Sequence, residues 1–322
     1  MKPYAGLIFD ESFHYIDHLA PFCSLLNCPL IAYEESIAHA CRTFYPHLEV
    51  LETRSIPACV ISCYSRPLLE ASLGLWRPSF KMIWLPHGLS DKGWKSPFFE
   101  ALGGEDLLLV YGQRMRDVLR AKNIRVPQLS VGNFRRHYFD IHRLFYEQLL
   151  QKRFGQRRFN LYAPTWEDTE NNGTFWEAFP RLLEHAPSDR LLLIKLHPNT
   201  ERAHLPKIER CKGMVPNHIV FLEDFPLIYP LLERADIYIG DRSSIGYDFL
   251  SFQRPMYFLC REKTDAERDP SAYLMRCGEQ ILLEEIPQLF KKNLPSATIP
   301  KMLAYAFDPI PSNLKESLES WL

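Results

Sequence analysis

The chain has 322 residues, 46% hydrophobic, 13% aromatic and 24% charged, which is enough apolar material for two cores and far from the profile of a disordered chain. Its 38 basic and 39 acidic residues leave a formal net charge of -1, which excludes a global field able to gather nucleic acid or an anionic membrane. No run of roughly 18 apolar residues occurs, and the first apolar run ends at Phe9, too short for a signal peptide, so a cytoplasmic protein is expected, with peripheral contact at the inner face of a membrane left open.

In chain order, short apolar runs alternate with longer helix-compatible stretches, the rhythm of βα units and a largely parallel sheet. In the first half, strands are expected near 6–9, 29–33, 58–63, 81–85, 106–110 and 128–131, with helices over 12–26, 66–75, 113–122 and 135–152. The polar, glycine-containing segment 152–158 reads as a linker, which divides the chain into an N-terminal domain, 1–152, and a C-terminal domain, 153–322. A solvated connection accounts for its basic residues, and contact with an anionic acceptor or lipid surface is the sharper alternative.

The second half repeats the rhythm. Strands are expected at 160–163, 191–196, 219–222, 236–240 and 256–260, and helices at 174–185, 200–210, 227–235, 243–252 and 283–291, although Pro206 and Pro230 count against two of those helices. A short terminal helix within 312–322 would carry Leu314, Leu318, Trp321 and Leu322 at roughly helical spacing and could pack back across the domain junction. The eight cysteines, at 23, 28, 41, 59, 63, 211, 260 and 277, form no CxxC pair and read as free thiols in a reducing compartment, with no zinc-site spacing.

Ligands of open parallel sheets bind beyond the C-terminal ends of the strands, so the polar groups there are the candidates. After the strand at 81–85 come His87, Gly88 and Lys92. The histidine can take a proton from a hydroxyl near neutral pH, the glycine permits positive φ, and the lysine can neutralise a phosphate. After the strand at 160–163 come Thr165, a donor to a phosphate oxygen, and Trp166, which can stack on a base. Lys195 and His197 share one side of an extended segment that Pro198 keeps out of helical conformation.

The strongest physical signal is Gly240-Asp241-Arg242-Ser243-Ser244, where a strand ends in glycine and two serines precede a helical pattern containing Asp248. Free backbone N–H groups at such a helix start, with serine hydroxyls and an arginine, suit a phosphate group. The pattern is neither a Walker A loop nor GxGxxG. Arg254, before the next apolar run, can reach this site or cap a helix.

These clusters, in this order, resemble the CDP-glycerol glycerophosphotransferase family of teichoic acid polymerases and primases. The resemblance rests on His87-Gly88 with Lys92, on Tyr-Ala-Pro-Thr-Trp at 162–166, on Lys-x-His-Pro at 195–198, on Asp-Arg-Ser-Ser at 241–244 with Asp248, and on Arg254-Pro255, and it covers roughly residues 80–260. Two departures stand out: Leu89 where the family usually has threonine, and Arg242 where it has tyrosine. The resemblance implies an α/β, GT-B-like fold of two Rossmann-like domains facing across a cleft, acceptor side first and nucleotide-donor side second. It implies transfer of glycerol phosphate, or a related phosphoalcohol, from a CDP-linked donor to the hydroxyl of a glycan or lipid-linked acceptor, with release of CMP. His87 and His197 would be catalytic, and Gly88, Lys92, Thr165, Trp166, Lys195, Asp241, Arg242, Ser243, Ser244 and Asp248 would bind substrate. No cofactor is firmly indicated. Asp241 and Asp248 could recruit a cation, which leaves divalent-metal dependence open. The alternatives are a GT-B glycosyltransferase using a nucleotide sugar and, given Leu89 and Arg242, a nucleotide-binding protein without catalysis.

Overall fold

Tyr4–Ile8 is buried at every position, as expected of a strand covered on both faces, and it lies inside the first sheet, with strands paired on both its edges. The computed structural model describes residues 3–74, 80–94, 97–168, 172–291 and 295–321. They fall into two compact units, one of residues 1–89, 93–142 and 304–322, the other of residues 90–92 and 143–303.

The first unit runs β1 (Tyr4–Ile8), α1 (Phe13–Leu26), β2 (Leu30–Ala32), α2 (Glu35–Phe44), β3 (Val50–Leu51), β4 (Cys59–Ser62), α3 (Arg66–Leu73), β5 (Lys81–Trp84), β6 (Leu107–Val110), α4 (Gln113–Ala121), β7 (Gln128–Ser130) and α5 (Phe134–Ile141). Its strands pair in parallel in the order β3-β2-β1-β4-β5-β6-β7. The chain steps outward from β1 to β3 and then restarts on the other side of β1 at β4, so the switch point of the sheet lies between the ends of β1 and β4.

Helix α1 contains Pro21, which cannot donate to the carbonyl of Asp17 one turn earlier. The guanidinium of Arg135 fills that gap: its Nε donates to the Asp17 carbonyl at 2.8 Å, and it also pairs with the Asp17 carboxylate. Tyr45 adds a hydroxyl to the same carboxylate at 3.0 Å. A buried charge is thereby paired and hydrogen-bonded, the condition under which burial is tolerable.

The second unit runs α6 (Arg143–Phe154), β8 (Phe159–Tyr162), α7 (Phe175–His185), β9 (Leu191–Ile194), α8 (Pro198–Lys212), β10 (Ile219–Phe221), α9 (Tyr229–Arg234), β11 (Ala235–Gly240), α10 (Ile245–Phe249), β12 (Met256–Cys260), β13 (Glu279–Leu282), α11 (Ile286–Leu289) and α12 (Ile299–Ala306), whose last turn returns to the first unit ahead of α13 (Leu314–Glu319). The parallel order β10-β9-β8-β11-β12-β13 repeats the first topology, with its switch point between β8 and β11.

Several expectations change. The segment 152–158 is not an interdomain linker, because α6 continues to Phe154 and the division falls at His142/Arg143. Its three arginines are engaged within the second unit: Arg153 donates to the carbonyl of Glu223, Arg157 to that of Phe154, and Arg158 pairs with Asp236. Helix α6 is held to α9 by Arg143–Glu233 at 2.7 Å. The stretch 135–152 is two helices parted at His142, and 304–322 belongs to the first unit rather than to the C-terminal domain. Pro230 sits in the first turn of α9, where no N–H is required, whereas Pro206 lies inside α8, which kinks at His204 (φ -131°). Arg254 caps α9 by donating to the carbonyls of Glu233 and Ala235, both at 2.7 Å. All eight cysteines are free and buried. Among the described residues no helix is long and apolar enough to cross a membrane.

Candidate functional site

The switch point of the second unit is built by two loops that one carboxylate ties together. Asp241 follows β11 and is buried. Its Oδ1 accepts from the backbone N–H of Thr165, just past β8, at 2.8 Å, and its Oδ2 accepts from the N–H and hydroxyl of Thr174 at 3.3 and 3.1 Å. Burial pushes the Asp241 carboxyl up to about 6, against the pull of these hydrogen bonds and of the Lys92 charge. With both oxygens engaged inward, Asp241 shapes the loops instead of meeting a substrate. Asp248 is likewise turned into the core, where Tyr229 donates to it at 2.9 Å. These two expected binding residues are therefore scaffold residues. Among the described residues no cluster of three metal-ligating side chains occurs.

Ser243 and Ser244 do precede a helix, but a short one: α10 spans Ile245–Phe249 and tightens into a 3-10 turn over Leu250–Phe252. Ser243 is mostly buried, and its hydroxyl accepts from the Ile245 N–H at 3.4 Å, so it shapes the turn, while Ser244 is half-buried at the helix start. Arg242 reaches toward the loop at 264–271, with long contacts of 3.4 Å to Thr264 and 3.5 Å to Ser271. The hollow beneath this loop, lined by Asp91, Asp241, Arg242, Ser243, Tyr247 and Leu274 among others, has a cavity volume of about 10 Å³, room for about one water molecule and far too little for a nucleotide. A nucleotide would have to lie over the strand ends rather than in it.

Lys92 belongs to the second unit by its contacts. Its Nζ donates to the Thr165 hydroxyl and pairs with Asp168 Oδ2 at 3.1 Å. Asp168 alone would repel a phosphate, and the Lys92 ammonium offsets its charge. Burial raises the Asp168 carboxyl, but hydrogen bonds from Asn172 and the Lys92 charge outweigh it and hold the carboxyl below its ordinary value. The adjacent Asp91 is buried and accepts from the Tyr247 hydroxyl at 2.6 Å and the Leu274 N–H at 2.7 Å. Asp91 went unnoticed in the sequence, where a carboxylate beside a lysine reads as a solvated pair.

His197 caps α8: its Nδ1 accepts from the Asn199 N–H at 3.1 Å. A neutral ring so held carries its proton on Nε2. The Trp166 ring, partly exposed, lies 6.1 Å from His197 between centroids. The structure thus brings Thr165, Trp166 and Lys92 together on the β8 loop and sets His197 beside Trp166. Lys195 goes elsewhere, donating to the Phe225 carbonyl at 2.9 Å, which stabilises its ammonium at the end of an apolar strand.

In the first unit, His87 follows β5 and is half-buried, and Gly88 takes the expected positive φ, 115°. The Leu89 side chain is buried, so this departure from the family pattern fills core space. His87 lies against Tyr15, with centroids 5.2 Å apart, and near His14 at 6.2 Å. His18, deeper, is held neutral: burial lowers it well below the ordinary histidine range, and Arg135 adds to this.

Residues 148–275 match the family model of CDP-Glycerol:Poly(glycerophosphate) glycerophosphotransferase. No curated protein sequence matches the chain. Among solved structures, a variant of the wall teichoic acid polymerase TagF soaked with CDPG aligns at 13% identity and a TM-score of 0.63, over 99% of this chain and 88% of that one. UDP-GlcNAc 2-epimerase from Neisseria meningitidis bound to UDP-GlcNAc aligns at 13% identity and 0.59, over 99% of each chain. S. aureus MnaA in complex with UDP aligns at 14% identity and 0.62, over 99% and 95%. At the level of fold and superfamily the chain is CDP-glycerol glycerophosphotransferase-like, a GT-B-like pair of Rossmann-like domains whose second member carries that family's sequence pattern.

Proposed function

We propose that the protein transfers glycerol phosphate, or a related phosphoalcohol, from a CDP-linked donor to an acceptor hydroxyl with release of CMP. The observation that carries this reading is the β8/β11 switch point, where the Thr165–Trp166 loop, His197 and the Ser243–Ser244 turn meet inside the stretch that matches the family model. His87 accepts the proton of the acceptor hydroxyl, whose oxygen attacks the β-phosphorus of the donor. The bond from that phosphorus to the CMP oxygen breaks, and CMP leaves with the electron pair. His197, through Nε2–H, and the N–H groups at the start of α10 offset the charge on the phosphate oxygens. Lys92 neutralises phosphate charge once donor binding draws it from Asp168. The donor domain is the second unit and the acceptor domain the first.

The test is CMP release from CDP-glycerol with a panel of hydroxyl acceptors. Wild-type turnover should exceed that of His87→Ala by about 10²–10⁴-fold, the usual contribution of a general base. Equal release by the two proteins would overturn the reading. A second reading, glycosyl transfer from a nucleotide sugar, is favoured by the likeness to folds that hold UDP and UDP-GlcNAc. It predicts that UDP-sugars, rather than CDP-glycerol, raise the melting temperature and that a nucleoside diphosphate is the product.

A further inference from the structure

The first unit has its own switch point, between β1 and β4, and the transfer chemistry above uses only His87 from that face. Three neighbouring strands end there, in the sheet order β1, β4, β5, and each delivers chemistry-bearing side chains. From the β1 end come Phe9 and Asp10, from the β4 end Tyr64, and from the β5 end His87, while the first turn of α1 adds His14 and Tyr15.

The groups form one connected wall. Tyr64 donates its hydroxyl to Asp10 Oδ1, which also accepts from the Ser12 N–H at 3.0 Å. The Tyr64 ring lies 4.2 Å from Phe9 and meets Tyr15 edge-on at 4.8 Å. Tyr15 in turn lies 4.2 Å from His14 and 5.2 Å from His87. Asp10 is half-buried, and its Oδ2 takes no hydrogen bond among the described residues.

A carboxylate oxygen uncommitted at a switch point, beside half-buried aromatic faces, selects its ligand by charge. It repels phosphates and carboxylates, and it accepts well from hydroxyl groups. Aromatic faces supply apolar contact to the C–H side of a polyol or sugar ring. We propose that Asp10, Tyr15 and His14 form the acceptor subsite around His87, and that this subsite takes an uncharged ligand with vicinal hydroxyls, one held by Asp10 and its neighbour presented to His87. The assignment of that ligand as the acceptor rests on the transfer reading; the binding of vicinal hydroxyls does not.

The test uses the full-length protein with isotope-labelled histidines, the ring signals of His14 and His87 being assigned with His→Gln variants. Ribitol and methyl β-glucoside are titrated as vicinal-hydroxyl probes, and 1,3-propanediol as a diol lacking that spacing. Both ring signals should shift saturably with the first two and not with the third. Asp10→Asn should weaken the probes by about 10-fold or more, the loss expected for a hydrogen bond to a charged group. Tyr15→Phe, which keeps the ring, should bind within about 2-fold of wild type, and Tyr15→Ala should not. Absence of saturation in the wild type, equal shifts with propanediol, or unchanged affinity in Asp10→Asn each overturns the proposal. Should Asp10→Asn fail to fold, Asp10→Ser and the wild-type titration decide. CDP-glycerol binding is measured on the same samples: polyol binding without donor binding leaves this subsite standing and removes the transfer reading, and the converse removes the subsite alone.

Discussion

Asp241 shows how a residue that reads as a substrate ligand becomes a structural clamp. From sequence, an aspartate at the tip of a strand beside two serines belongs to the site. The fold instead spends both its oxygens on Thr165 and Thr174, and burial lifts its carboxyl to about 6 from an ordinary 3.8. A folded-state value above the unfolded one means that the folded chain retains the proton between the two. The contribution of Asp241 to stability is therefore greatest at about pH 4 and is lost as pH rises to about 6, by about 3 kcal/mol. Asp241→Asn cannot lose a proton, and its amide leaves one threonine donor without an acceptor, at a cost of about 1–3 kcal/mol. Urea unfolding across pH 4–7 should show the variant least competitive at the acid end and closing on, or passing, the wild type near pH 7. A difference constant with pH would show that Asp241 does not titrate in this range. Asp241 stood in the sequence as a candidate, but its role was not legible, because the donors facing it come from segments 76 and 67 residues away.

Elements were legible where a run was apolar throughout. The central strands fell within a residue or two of expectation, whereas β3, a two-residue edge strand of the first sheet, and β13, a half-polar edge strand of the second, left too little signal. Helix α2 was missed because its buried face is made by Ile37, two alanines and a cysteine, a weak stripe beside exposed polar residues. Helix α1 was read correctly despite Pro21, and the physical reason is distant in sequence: Arg135 from α5 satisfies the carbonyl that proline leaves unpaired. Arg135→Ala removes that donor and strips Asp17 of its buried counter-charge. It should destabilise the first unit by about 3–5 kcal/mol, read as a large fall in melting temperature. A loss under about 1 kcal/mol would show that water replaces the guanidinium and that the proline needs no partner.

For the whole molecule, the return of residues 304–322 to the first unit matters most. Arg116 grips Asp308 through two bonds, at 2.6 and 3.0 Å, Ser130 adds a third at 2.6 Å, and Tyr305 donates to Asp117 at 2.7 Å. Gly132, at φ +57°, has no room for a side chain, since a Cβ there would stand 2.5 Å from the Asp308 carbonyl oxygen. Leu314 and Leu318 are buried as well. A chain ending at residue 303 should therefore damage the first unit, not the second to which it is adjacent in sequence. Hydrogen exchange should show loss of protection in β6 and β7 while β8, β9 and β11 stay protected. Loss confined to the second unit would reverse this assignment.

The two α/β units, the parallel strands inside them, the helix start at Ser243–Ser244 and the resemblance over roughly residues 80–260 were all legible from the sequence, because apolar runs and strand-end motifs are local signals. Tertiary structure alone decided which of those polar residues face outward. His197 is set by the Asn199 N–H and lies beside Trp166, Lys92 is held by Asp168 and Thr165, and Asp241 and Asp248 turn inward. It also decided that the chain's last nineteen residues, 304–322, complete its first unit. The reason is that a buried charge or hydrogen bond is defined by its partner, and every one of these partners except Asn199 lies far along the chain.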